Sequence, residues 1–178
     1  TIVEGCHFYN GRHHITTNST SGVSEDHYRG MPVGIVINGT THAGSWVYPI
    51  DTHRAGSRIT ISNFTIASLS GGIEIRTPNT TVSNGVIRLP HAPSVPGVAV
   101  GHGVACYFNN KNIRISNVDV SGGSLGFFVG SPTTRGENVS ITGCSTENTQ
   151  AEAFYIDKVD GFTLNGNIAG AVLNGQTS

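Results

Sequence analysis

Apolar and polar residues alternate along this chain in short runs, and one run keeps returning. Five segments align: Arg58-Ile-Thr-Ile-Ser-Asn63, Asn79-Thr-Thr-Val-Ser-Asn84, Asn112-Ile-Arg-Ile-Ser-Asn117, Asn138-Val-Ser-Ile-Thr-Gly143 and Gly161-Phe-Thr-Leu-Asn-Gly166. An apolar residue at every second position predicts a strand with one buried face. Each segment closes on Asn or Gly, which tolerate the left-handed backbone of a sharp bend. The segments start 21, 33, 26 and 23 residues apart.

A second strand is predicted after the bend, at Phe64–Ala67, Val86–Leu89 and Val118–Val120. A third precedes the next repeat, at Ile73–Ile75, Val104–Phe108, Phe127–Val129 and Phe154–Ile156. Each coil then holds about three short strands. One coil cannot cover its own apolar residues, but stacked coils bury them in a column and pair their strands in parallel. With these repeats the chain resembles the pectin-lyase-like right-handed parallel β-helices, from about Gly34 to Asn167. That group includes pectate lyases, alginate-modifying enzymes and bacteriophage tailspikes. The resemblance implies an all-β solenoid of three-stranded coils.

Gly, Pro or Asn interrupts almost every window long enough for three helical turns. An antiparallel sandwich would also show many short strands, yet it gives no reason for the recurring Ile-x-Ile-Ser-Asn phrase. Residues 1–178 are expected to form one β-helix domain. The strand-like start at Thr1-Ile2-Val3, without Met, suggests a piece of a longer protein. Two stretches break the coil pattern, at about 16–32 and 89–102. Loops on a rigid scaffold are where binding residues concentrate.

Composition sharpens this picture. Only 12% of residues are charged, against ~25% in ordinary domains. Lys and Arg number 10 against 11 acids, so no strong attraction to nucleic acid or an anionic membrane is expected. No run of ~18 apolar residues offers a spanning helix. Cys6, Cys106 and Cys144 are far apart and lack metal-ligand spacing, so they are expected to be small buried apolar residues. Asn-x-Ser/Thr sequences at Asn18, Asn38, Asn63, Asn79 and Asn138 follow from a composition rich in these residues.

Candidate chemistry concentrates in Ser45-Trp-Val-Tyr48-Pro-Ile-Asp51-Thr-His53-Arg54. On a strand, Asp51 and His53 share a face, so the carboxylate can orient the imidazole and raise its basicity. Tyr48 has the opposite parity unless Pro49 interrupts the strand. Arg76 and Glu74 fall on the third strand one coil later, where stacking can bring them to Asp51. Two outward carboxylates, Asp51 and Glu74, suit hydrolysis if ~5–9.5 Å apart. The bland alternative makes Asp51 a turn brace, His53 its partner and Trp46 core packing.

The spacing Tyr48-x-x-Asp51-x-His53 resembles the Tyr-x-x-Asp-Pro-His segment of mannuronan C5-epimerases. By that resemblance Tyr48 and His53 are acid and base, and Asp51 supports them. Abstracting a proton next to a carboxylate also needs a cation to neutralise that carboxylate, a role open to Arg54 or Arg76. Thr52 stands where that family has Pro, and Arg54 where an acid commonly follows. Trp46, Tyr107 and Tyr155 are candidate sugar platforms, with Arg54 and Glu74 as further substrate contacts. His7, His13, His14, His27, His42, His91 and His102 show no metal-ligand spacing, although stacking could gather His42, His53 and His102. No cofactor is expected; the loop acids Glu25 and Asp26 would suit only calcium.

Two functions stay open. One is a carbohydrate-active enzyme, whether lyase, epimerase or hydrolase, on an extended polysaccharide. The other is a non-catalytic shaft or receptor-binding module. The tailspike resemblance unites them in a module that binds, and in some cases depolymerises, a bacterial surface polysaccharide. It implies a homotrimer on a virion tail or outside the cell.

Overall fold

The computed structural model describes residues 1–17, 33–53, 56–93, 96–108, 110–131 and 134–170. The first coil is β1 (Ile2–Glu4), β2 (His7–Gly11) and β3 (Ile15–Thr16). The second is β4 (Val33–Asn38), β5 (Thr41–Ser45) and β6 (Ile50–Thr52). The third is β7 (Ser57–Ala67) and β8 (Ile73–Ile75), and the fourth β9 (Thr80–Arg88) and β10 (Val104–Tyr107). The fifth is β11 (Lys111–Ser121) and β12 (Phe127–Gly130). The sixth is β13 (Gly136–Thr142), β14 (Ser145–Glu147) and β15 (Phe154–Ile156). β16 (Val159–Asn165) and β17 (Ile168–Ala169) follow on the next level. Every strand pairing among the described residues is parallel. An antiparallel sandwich is thereby excluded.

The strands form an 11-stranded sheet and a six-stranded sheet, the latter ordered β15-β12-β10-β8-β6-β3. The predicted first and second strands merge into long bent strands, β7, β9 and β11. Both ends of the repeating phrase are left-handed bends. Arg58, Asn79, Asn112, Asn138 and Gly161 stack at its start with φ between 54° and 70°. Asn63, Asn84, Asn117, Gly143 and Gly166 stack at its end with φ between 52° and 62°. The bend asparagines also bond along the stack: Asn112 Nδ2 donates to Asn79 Oδ1 at 2.9 Å, and Asn138 Nδ2 to Asn112 Oδ1 at 3.2 Å. The glycosylation-like sequences at Asn63, Asn79 and Asn138 are therefore bend residues.

The core is a set of aliphatic columns. Ile37, Ile61, Val82, Ile115 and Ile141 are in register and fully buried. So are Ile50, Ile73, Val104 and Phe127 behind the six-stranded sheet. Cys106 lies between Ile75 and Val129 in a neighbouring column, and burial pushes its thiol up to about 12. Cys144 is also buried, but Cys6 is exposed beside a bend glycine, unlike the expectation for all three.

The coil stack starts earlier than Gly34. β1 pairs with β4 and β3 with β6, so the segment from Ile2 to Thr16 is a full coil. The insertion at 89–102 lies against other coils: Gly123 N–H donates to Pro90 O, and Ser70 Oγ to Ala99 O. Glu25, Asp26, His27 and Asn18 lie outside the described residues, as does Arg54.

Candidate functional site

On the six-stranded sheet, inward residues alternate with an outward row. Thr16, Asp51, Glu74, Ala105, Phe128 and Tyr155 are successive register partners. Two residues further on, Arg76, Tyr107 and Gly130 continue a second row next to His53. The face is charged on the earlier coils and aromatic on the later ones.

Asp51 Oδ2 lies 3.0 Å from His53 Nε2 and 3.1 Å from Arg76 Nη2. The same Arg76 nitrogen is bound to Glu74 Oε2. Thr52 Oγ1, facing inward, accepts the Arg76 backbone N–H at 2.9 Å and fixes that strand end. Solvent access separates the four groups: Asp51 is fully buried and Glu74 nearly so, whereas the His53 side chain is 32% exposed and that of Arg76 22%. Asp51 is thus the support and His53 the accessible member. Burial, then the Glu74 charge, raises the Asp51 carboxyl above its ordinary value; Arg76, His53 and His13 oppose this. Asp51 Oδ1 is buried without a hydrogen-bond partner.

Pro49 does interrupt the strand, since β6 begins at Ile50. Tyr48 therefore turns to the site side despite its parity, but it is sunk beneath the surface at 9% exposure. Its ring lies where a Cβ on Gly71 would be, and its hydroxyl accepts the His102 N–H at 3.1 Å. Burial holds the phenol far above its ordinary pKa. A surface proton donor at Tyr48, as the epimerase resemblance implies, does not fit that placement. Tyr107, in hydrogen-bond contact with Tyr48 and beside Arg76, is the more accessible phenol.

Two histidines join the site without any signal in their own sequence context. His13 Nδ1 is 2.7 Å from Tyr48 O, and its ring meets His53 edge-on at 6.3 Å. The first coil brings it there. His102 leaves the 89–102 insertion to stack on Phe128 at 5.1 Å, with Nδ1 2.7 Å from Ser124 Oγ. Burial lowers its pKa, with Glu74 pulling the other way. His42 faces inward and does not meet His53 and His102. No group of three or more metal-ligating side chains occurs among the described residues.

Phe128 is flanked by Tyr107 at 4.8 Å and stacked on Tyr155 at 5.4 Å. These rings, with Leu125, Ser131, Glu152 and Asp157, line an open groove that continues from the charged cluster. Trp46 is 53% exposed in the turn between β5 and β6, where its backbone N–H donates to Gly11 O. It is a surface ring rather than core packing.

Parallel coils closed by columns of bends define a parallel β-helix. Residues 51–172 match the family of right-handed β-helix regions, and the chain belongs to that family. Comparison with curated proteins and with solved structures returned no match.

Proposed function

We propose that this chain is a glycan-recognising β-helix of the tailspike type, which lays an extended bacterial surface polysaccharide along the outer face of the six-stranded sheet. The observation that carries this reading is the line Tyr107, Phe128 and Tyr155 running into the polar cluster at Arg76 and His53. Coils repeat every ~4.8 Å, so a linear polymer lying along the stack crosses the aromatic coils and then the charged ones. An apolar floor with a few placed polar groups is the usual composition of a ligand site. The homotrimer and virion location implied by the tailspike resemblance belong to this same reading.

The test is retention of purified capsular and lipopolysaccharide glycans on immobilised protein. Phe128→Ala is expected to weaken retention about tenfold, or ~1.4 kcal/mol. Retention unchanged in Phe128→Ala, or absent from the unmodified protein, overturns the reading.

A depolymerase activity has one specific observation in its favour, the accessible His53 backed by buried Asp51 at 3.0 Å. An imidazole held in place by a carboxylate suits general acid–base catalysis. Mass spectrometry of a retained glycan after incubation checks it. New shorter products that vanish in His53→Ala support cleavage, and intact glycan leaves binding alone.

A further inference from the structure

We infer that the glycan this face takes is neutral or amino-bearing and is not a polyuronate. The inference rests on the glycan-binding reading above and specifies its ligand. It comes from the charge already present along the groove. Among the described residues, Asp51 and Glu74 occupy its polar end, and Glu152 and Asp157 line its aromatic end. Two permanent cations accompany them. Arg76 Nη2 is already bound to both Asp51 and Glu74. Lys158 Nζ stands 3.6 Å from Asp157 Oδ2.

A polyuronate brings a carboxylate with every sugar. It would set those charges beside the carboxylates of Glu74, Glu152 and Asp157, with no unpaired arginine or lysine among the described residues of these rows to receive them. Like charges juxtaposed across an interface work against binding and so exclude such a partner. The neutral imidazole of His102 adds no charge either, because burial lowers its pKa.

The same groups suit sugar hydroxyls and amines. Hydroxyls and ammonium groups donate hydrogen bonds, and carboxylates accept them without needing to donate. Glu152 and Asp157 flank the aromatic floor as Arg or Lys would in a site for an acidic polymer. The arrangement also bears on chemistry. Elimination and C5 epimerisation need a substrate carboxylate to stabilise the carbanion formed when a proton leaves, and a neutral sugar has none. Any cleavage here is then hydrolytic: water adds across the glycosidic bond, its hydroxyl goes to the anomeric carbon and its proton to the leaving oxygen.

The experiment fractionates bacterial surface polysaccharides by anion exchange into neutral, amino-bearing and uronate-bearing pools. Each pool is passed over the immobilised full chain. The neutral and amino-bearing pools are expected to be retained at least tenfold better than the uronate pool. A Glu152→Gln/Asp157→Asn variant should narrow that ratio severalfold, mainly by holding more uronate at low salt. Preferential capture of uronate glycans overturns the inference while leaving glycan binding intact. An unchanged ratio in the variant overturns the charge argument. No capture from any pool overturns the parent reading, and this inference with it.

Discussion

Asp51 Oδ2 sits 3.0 Å from His53 Nε2 while the Asp51 side chain has no access to solvent. The carboxylate lies under the imidazole instead of beside it in water, so burial governs it before its partners do. Its pKa is raised from the ordinary 3.8, by burial first and by Glu74 second. A group whose folded pKa is raised binds its proton more tightly in the folded state. Its contribution is greatest below the unfolded value and is lost as pH rises through the folded one.

Asp51→Asn holds the uncharged form in nearly the same shape. The wild type should therefore lose stability relative to this variant as pH rises above 3.8, and the variant should be the more stable near pH 7. Replacing a buried charge pair with uncharged groups is often neutral or stabilising by ~1–4 kcal/mol. Urea unfolding of both proteins across this range checks the sign. A variant that is less stable at neutral pH means that Arg76 and His53 outweigh the burial.

Tyr48 depends on Gly71. A Cβ there would stand 2.4 Å from the Tyr48 Cε1 and 2.6 Å from Cδ1, contacts that no real Cβ makes. Gly71→Ala is expected to push the ring outward and cost ~1–3 kcal/mol. Adding Tyr48→Ala should cancel part of that cost, because the two changes share one contact. Thermal unfolding of the single and double variants measures this coupling. Additive effects would mean that the ring does not rest on the glycine.

Much of this architecture was legible in the residues themselves. The Asn or Gly that closes each phrase marked one bend column, since few other residues settle at φ near 55°; the column at the start of the phrase, which includes Arg58, stood out less. The outward pairing of Asp51 with Arg76 followed from period two and coil stacking. Other features depend on distances that sequence does not carry. His13 reaches His53 only because the first coil stacks in register, across residues 18–32 that show no repeat. Tyr48 sinks because Gly71 and Gly101, in other segments, leave it room. His42 looked like a scattered histidine, yet it occupies a core position.

His42 provides the clearest pH test. It lies between Phe8 and Ile66 in an otherwise apolar column, 1% exposed, with Phe8 stacked at 5.0 Å. Its Nε2 is 3.0 Å from Thr40 Oγ1 and its Nδ1 3.2 Å from His14 Nδ1, so one ring donates and the other accepts, both neutral. Burial, then the neighbouring His14, lowers its pKa from 6.5 to about 4. Burial lowers His14 as well. Below 6.5 the unfolded chain takes up the protons first, so this stability is complete above 6.5 and is lost as pH falls toward 4. For His42 alone the change corresponds to roughly 3 kcal/mol. Hydrogen exchange in β2 and β5 should accelerate over that range ahead of the later coils. His42→Leu continues the column with an aliphatic side chain. It should flatten most of the pH dependence, even if its stability near pH 7 is lower for loss of the Thr40 bond. An equally steep acid transition in the variant would place the sensitive group elsewhere.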